Sequence, residues 1–175
     1  MNPELRRFVQ IADALRETNA WTNNEWLCRP DIVAADKLLL VRANMNPGHC
    51  HPFHFHPHRE EIIFVIHGRA EQWVGDDRRI LSAGEMAHIP PGTIHATYNP
   101  HAEPLVFLAI LSPAKLPAEL AAAGFAFKTV RPRRPRKGEL ICQRVGFKTK
   151  RGSQQWRDRE AIASPSAYAV VMGNG

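Results

Sequence analysis

The sequence predicts an all-β protein built as a sandwich or barrel of short strands. Between residues 37 and 112, short apolar runs alternate with turn-forming glycine, proline and asparagine residues. Regular spacing of this kind is typical of sandwiches and barrels. The chain of 175 residues has the length of one domain, and its hydrophobic content of 44% is sufficient for a core. The predicted strands are Leu38–Ala43, Ile62–Ile66, Ala70–Val74, Met86–Ile89, Ile94–Tyr98 and Leu105–Leu111.

Residues 1–36 are expected to form a short helical N-terminal arm. Asn2 suits the cap of a helix and Pro3 suits its first position. Trp21 and Trp26 are expected to pack the arm onto the rest of the protein. The apolar residues that predict the buried stripe of the helix recur at helical spacing: Leu5, Phe8, Val9, Ala12 and Leu15.

The predicted barrel comprises residues 37–112, and the chain that follows it has two parts. In residues 113–127, Pro117–Ala123 is expected to form a closing helix that ends at Gly124. Residues 128–175 carry 12 Lys/Arg and 3 Asp/Glu, a net charge of +9, whereas the preceding 127 residues have a net charge of −3. The overall net charge of +6 therefore arises in a basic tail, which we expect to be flexible because it lacks a sustained hydrophobic period.

The sequence argues against a membrane protein and against a secreted one. Its longest clean apolar run, Leu105–Leu111, is far shorter than the roughly 20 residues that a spanning helix needs. The N-terminus lacks the basic and apolar regions of a secretory signal. Three widely spaced cysteines, Cys28, Cys50 and Cys142, are expected to be reduced thiols. These features predict a cytoplasmic protein.

A histidine-rich segment carries the chemistry of the sequence. Five of the nine histidines fall within ten consecutive positions. Since residues two apart in a strand share a face, His54 and His56 are expected to present both imidazoles to one metal ion. Glu61 begins the next predicted strand, and His95 follows the Pro-Gly turn, so both are candidates to complete the set of ligands.

These spacings resemble the two motifs of the cupin superfamily over residues 37–112. The first motif is matched by Gly48, His54, His56, Glu61 and Gly68. The second is matched by Gly84, Pro90, Gly92, His95 and Asn99. Glu60 is an alternative to Glu61, because the family tolerates three or four residues at that gap, but only Glu61 places Gly68 in register.

The resemblance implies a double-stranded β-helix of six to eight strands with a metal ion bound by three histidines and one glutamate. It also implies a homodimer, which is common among single-domain cupins. Imidazoles and one carboxylate suit first-row divalent metals. We expect Fe(II) or Mn(II), with Zn, Ni, Co or Cu as alternatives. Four protein ligands in an octahedral field leave two positions for water, substrate or O₂.

Three further residues are candidates for the wall of the pocket. Along Ala70–Val74, side chains alternate in direction, so either Gln72 or Trp73 faces the interior, and the sequence leaves the choice open. His67 shares its strand parity with Glu61 and is a candidate for the barrel mouth. Glu61 is also a candidate base. The histidines beside the ligands are expected to be exposed loop residues, and the alternative is that one of them contacts a ligand or carries a proton: His49, His51 and His58.

The predicted function is that of a small metalloenzyme of dioxygenase type acting on an oxygen-rich small molecule, because three histidines and one carboxylate with open positions suit Fe(II) and O₂. The resemblance implies sugar or keto-acid isomerases and lyases as alternatives. A non-catalytic module that binds a small ligand or a metal is a third. A nucleic-acid partner is not expected, because no DNA-reading helix pair accompanies the basic tail.

Overall fold

Twelve strands are present in the part of the chain that the computed structural model describes, namely residues 6–117, 128–130 and 170–171. The described residues also include a 3₁₀ turn at Ile11–Asp13 and one short helix, α1, at Pro30–Val33. None of their helices is long and apolar enough to cross a membrane. In chain order the strands are β1 (Leu15–Thr18), β2 (Asn23–Cys28), β3 (Leu39–Met45), β4 (Cys50–Phe55), β5 (Glu60–His67), β6 (Arg69–Val74), β7 (Asp77–Ser82), β8 (Met86–Ile89), β9 (His95–Tyr98), β10 (Leu105–Ser112), β11 (Lys128–Val130) and β12 (Val170–Val171).

The strands form two antiparallel sheets of six strands each. Their orders are β1-β2-β3-β10-β5-β8 and β12-β11-β4-β9-β6-β7. Burial alternates along β3 and β10, so one face of the first sheet is turned to the interior. The core combines residues such as Val41, Val65 and Phe107 from this sheet with Ala70 and Leu81 from the second. It therefore lies between the two sheets, as in a jelly roll.

The six strands predicted between residues 37 and 112 are all present, as β3, β5, β6, β8, β9 and β10. The predicted strands did not include β4, where a strand was assumed only for the directions of His54 and His56. They also missed β7, which begins with charged residues and lies at the edge of the second sheet. In β7 only Leu81 is buried, so this strand lacks the apolar run by which the others were found.

The predicted N-terminal helix is wrong for residues 6–15. Phe8 is 89% exposed, and Leu15, the last residue of the predicted stripe, begins β1. The described residues of the predicted stripe do not form a buried helix face. The chain instead joins the first sheet, where β1 pairs with β2 and β2 pairs with β3. Trp26 in β2 does pack against the core, as expected.

Most of the predicted C-terminal features lie outside the described residues. The described segment ends at Pro117, so the closing helix predicted for Pro117–Ala123 is not covered. Of the basic tail, β11 pairs with β4, and β12 pairs with β11. The remainder of that tail is likewise outside the described residues.

The cysteines differ from one another. Cys28 is a free thiol whose Sγ lies 3.3 Å from the carbonyl oxygen of Leu38. Cys50 is buried and disulfide-bonded, so the prediction of a reduced thiol is wrong at this position. Cys142 lies outside the described residues.

Candidate metal centre

The structure brings the four predicted ligands together between the two sheets. His54 lies in β4, His56 directly follows β4, Glu61 is in β5, and His95 begins β9. All four are buried, and their ligand atoms lie within 4.8 Å of one another. Because β4 pairs with β9, His54 lies opposite His95, and β5 contributes Glu61 from the other sheet. Residues from both sheets thus converge on one point.

Backbone contacts hold two of the imidazole rings in a defined tautomer. Nδ1 of His54 lies 2.8 Å from the carbonyl oxygen of Pro52, and Nδ1 of His95 lies 2.9 Å from that of Thr93. A carbonyl oxygen only accepts hydrogen bonds, so Nδ1 of each ring is the donor. In the neutral rings the lone pair therefore lies on Nε2, as a metal ligand requires.

The contacts of Glu61 test whether these residues fit a metal ion. Its Oε2 lies 3.0 Å from Nε2 of His95 and 3.3 Å from Nε2 of His56. The contact with His95 lacks the geometry of a hydrogen bond. Oε2 of Glu61 and Nε2 of His95 are both buried without a hydrogen-bond partner among the described residues, and a cation between them would supply the partner that each lacks. A divalent transition metal fits this arrangement of donors.

The pKa values of His54 and Glu61 favour the protonation states that a metal ligand needs at neutral pH. Burial and the neighbouring histidines hold the pKa of His54 well below its usual range, so the ring is neutral. For Glu61, burial raises the pKa, but the contacts with His56 and His95 outweigh it and lower the pKa to about 2. The carboxylate is therefore ionised.

Glu60, the alternative ligand, does not join this group. Its carboxylate is exposed and lies 3.2 Å from Nε2 of His88, on the outer side of the sheet. Glu60 and Glu61 are neighbours in β5 and so point to opposite faces. The alternation of side chains along β5 therefore directs Glu61, and not Glu60, to the interior.

A cavity of about 280 Å³ lies beside the four ligands, and His56 and Glu61 form part of its wall. Its floor is apolar and comes from β2, β3 and β10, through Trp26, Leu39, Val41, Ala43, Phe107, Ala109 and Leu111. Its rim is polar and comes from the hairpin of β1 and β2, through Glu17, Asn19, Thr22 and Asn24. Two further side chains, His51 and Arg59, complete the lining.

The three residues proposed for the pocket wall lie elsewhere in the described structure. Gln72 faces the interior and is buried, and its Oε1 accepts a hydrogen bond of 2.7 Å from Oγ1 of Thr97. Trp73 faces the other side of its sheet and packs edge-on against Phe53. His67 is exposed at the end of β5. Among the described residues, the cavity lining includes none of the three.

His51 was expected to be an exposed loop residue, but it lines the cavity. The register of β4 against β9 shifts between His51 and His54, which allows residues an odd number of positions apart to face the same interior. The ring centroids of His51 and His54 are 4.1 Å apart. Pro52 lies within the irregular stretch, and proline inside a strand is typical of an edge or a bulge, but this sign did not enter the prediction. The polar rim was missed for another reason, since the polar residues that follow the predicted helix were not assigned to any strand.

Acidification is expected to destabilise the metal-free protein. Burial lowers the pKa of His51 to about 4, and that of His54 is also lowered from 6.5. Below pH 6.5 the unfolded chain therefore binds protons that the native protein does not, so stability falls as the pH drops towards 4. The expected slope is about 1.4 kcal/mol per pH unit for each histidine. Below pH 4.5, protonation of unfolded Glu61 adds a further loss that continues to about pH 2.

Urea denaturation in the presence of a chelator, at pH values from 7.5 to 4.5, measures this dependence. His51→Gln should flatten the slope, whereas the matched variant of an exposed histidine, His67→Gln, should leave it unchanged. Equal slopes in the wild type and His51→Gln would contradict the assignment.

The jelly roll and its buried set of three histidines and one glutamate define the class, a β-barrel with a candidate metal centre between its sheets. Residues 41–111 match the family model described as the cupin domain, and the barrel of this chain is a cupin domain. The resemblance seen in the sequence is thereby confirmed.

Curated relatives share part of their length with this chain. Mannose-1-phosphate guanylyltransferase RfbM of Salmonella typhimurium is 32% identical over 110 residues, covering 59% of this chain and 23% of the relative. The xanthan biosynthesis protein XanB of Xanthomonas campestris pv. campestris is 28% identical over 113 residues, covering 62% of this chain and 24% of the relative. The chain thus spans about a quarter of the length of these relatives.

Solved structures share the barrel. The polyketide cyclase RemF of Streptomyces resistomycificus has a TM-score of 0.55 and 25% identity, covering 64% of this chain and 82% of that one. KdgF of Halomonas sp. has a TM-score of 0.55 and 17% identity, covering 63% of this chain and 96% of that one. At 17% identity, the similarity to KdgF shows a shared fold only.

Proposed function

We propose that this protein is a small metalloenzyme that binds a first-row divalent metal through His54, His56, Glu61 and His95 and acts on a small molecule in the adjacent cavity. The observation that carries the proposal is that two of the four ligands, His56 and Glu61, also line the cavity. A structural metal site is closed by protein on all sides, whereas a catalytic one keeps a position open to a substrate. Here the ligands face a space that a substrate can enter.

The reaction that we propose is an oxidation of dioxygenase type. With Fe(II) bound, the centre would supply activation of O₂ to a substrate in the cavity. The residues of this chain would hold the substrate against the apolar floor formed by β3 and β10 and keep water away from it. Glu61 is ionised and faces the cavity, so its carboxylate is the candidate acceptor for a proton of the substrate.

A metal-dependent isomerase or lyase is the second candidate function. RfbM is named for mannose 1-phosphate and RemF for the cyclisation of a polyketide, and neither name implies O₂ as a reactant. Isomerisation or elimination of a carbonyl substrate needs a metal ion that polarises the carbonyl or assists enolisation, and the same four residues could hold such an ion. A module that binds its ligand without turnover is the remaining alternative.

Three further expectations stay predictions. We propose Fe(II) or Mn(II) as the metal, a homodimer as the assembly, and the cytoplasm as the location. The nitrogen and oxygen ligands of the described residues suit such a metal, whereas the disulfide of Cys50 counts against the cytoplasm, where thiols are kept reduced.

Oxygen uptake tests the proposed reaction. The protein, loaded with Fe(II) under anaerobic conditions, is mixed with a panel of aromatic and keto-acid substrates and then exposed to O₂, with product analysis by mass spectrometry. We expect uptake coupled to one product in the wild type and its loss in His54→Ala. His88→Ala, which alters an exposed histidine of β8, should retain activity.

The other outcomes separate the alternatives. Conversion of a substrate without consumption of O₂ would contradict the dioxygenase and support the isomerase or lyase. Tight binding of a ligand without any conversion, in protein that retains its metal, would support the binding module.

A further inference from the structure

Arg59 places a cation in the wall of the cavity. It lies in the connection between β4 and β5, between the ligands His56 and Glu61, and is partly buried. Of the described residues that line the cavity, it is the one Lys or Arg. A charge in this place can act directly on a molecule bound next to the metal centre.

The backbone holds the guanidinium group in position. Nε donates a hydrogen bond of 2.9 Å to the carbonyl oxygen of Pro113, and Nη2 donates one of 2.9 Å to that of Ala114. A guanidinium has five N–H donors, so donors remain on its other edge. The two bonds restrict the rotation of a long side chain and so reduce the entropy that a bound ligand would otherwise have to offset.

No carboxylate lies within salt-bridge distance of Arg59 among the described residues, in contrast to Arg29, Arg42, Arg69 and Arg78. The other acidic residues of the cavity are already engaged. Oε2 of Glu17 accepts a hydrogen bond of 2.9 Å from Nε1 of Trp26, and Glu61 belongs to the metal centre. A partly buried positive charge without a counterion is costly, and a bound anion would remove that cost.

The rest of the cavity limits the kind of anion. Its floor from β3 and β10 is formed by apolar side chains such as Leu39, Val41 and Phe107, which favour a hydrocarbon body. One guanidinium balances the single charge of a carboxylate and matches its two oxygens, whereas a phosphate dianion would call for more donors. The cavity of about 280 Å³ is suited to a small ligand.

We propose that Arg59 binds the carboxylate of a small organic acid whose apolar body lies on the floor formed by β3 and β10. Arg59 is then a substrate-binding residue that sets the charge and the orientation of the substrate. The inference rests on the proposed function, since it names the class of substrate for the same site.

Calorimetric titration of the protein with its native metal tests the proposal with three probes. These are 3-phenylpropionate, its neutral amide 3-phenylpropionamide, and propionate, which retains the charge but lacks the ring. We expect 3-phenylpropionate to bind at least about tenfold more tightly than either of the others. Arg59→Gln should lose the preference for the carboxylate over the amide, while its affinity for the amide stays unchanged.

Two variants separate charge from structure. Arg59→Lys keeps the charge but lacks the forked donor, so it should retain only part of the preference. Arg69→Gln removes an exposed arginine paired with Glu103 and should bind all three probes like the wild type.

Equal affinity of the wild type for the acid and the amide would overturn the proposal without reference to any variant. A preference that survives in Arg59→Gln would also overturn it, because the metal would then be the group that binds the anion. Stronger binding of inorganic phosphate than of 3-phenylpropionate would show that the class of anion is wrong. None of these results depends on turnover, so failure of the enzymatic proposal remains distinguishable.

Discussion

Simultaneous replacement of His54 and His95 by alanine is expected to abolish both metal binding and the stabilisation that metal confers. Each ring provides a buried Nε2 at the point where the four ligands meet, and Glu61 with His56 alone is a poor site for a divalent ion. A ligand present at a thousand times its dissociation constant stabilises the native state by about 4 kcal/mol. Thermal unfolding with and without Fe(II), Mn(II) or Zn(II) measures the effect.

The wild type should melt at a higher temperature when metal is added, and the double variant should not respond. The matched control is His67→Ala/His88→Ala, which removes two exposed histidines outside the centre and should respond like the wild type. An equal metal-dependent rise in the double variant and the wild type would place the metal elsewhere in the protein.

The second large effect concerns Gly68, in the turn that joins β5 to β6. Its φ of +76° lies in the left-handed region, and a Cβ atom built there would lie 2.4 Å from the carbonyl oxygen of Pro104. The backbone at Pro104 and Leu105 would have to move, because neither contact involves the end of a flexible side chain. Left-handed strain alone costs about 1–3 kcal/mol, and the collision adds to it, so Gly68→Ala should destabilise the protein by more than about 3 kcal/mol.

Gly92 supplies a matched control for that variant. It has the same φ of +76°, but nothing lies within 4 Å of the position that a Cβ atom would occupy there. Gly92→Ala should therefore lower the free energy of unfolding only by the cost of the left-handed backbone. Urea denaturation of the metal-free proteins compares the two. If both variants lose the same free energy of unfolding, the close approach of Gly68 to Pro104 does not contribute.

The same glycine shows why the candidate site could be read from the sequence. The position of Gly68 selected Glu61 over Glu60, and the structure directs Glu61 to the interior and leaves Glu60 exposed. Spacing was sufficient here because alternation along a strand is a local rule. Six strands of residues 37–112 were found by another local signal, short apolar runs between turn-forming residues.

The features that the sequence did not predict depend on contacts between distant segments. The stripe from Leu5 to Leu15 has helical spacing, but pairing of β1 with β2 and of β2 with β3 determines the outcome. His51 reaches the cavity through the irregularity in β4, and Pro52 marks that place in the sequence without fixing which side chains turn inward. The position of Arg59 depends on the carbonyl groups of Pro113 and Ala114, more than 50 residues away in the chain.

The inward direction of Gln72 required the structure for a related reason. Alternation left two choices on β6, and only the position of the second sheet relative to the core decides between them. Gln72 is accommodated inside because Thr97 on the adjacent β9 donates to its Oε1. A buried amide of this kind needs a partner that lies 25 residues away in the sequence.

Elemental mass spectrometry of freshly purified protein tests the central claim most directly. We expect close to one equivalent of a first-row transition metal per chain, with iron or manganese as the expected metal. A protein that is isolated without metal, and that also fails to take up added Fe, Mn, Ni, Co, Zn or Cu, would contradict it.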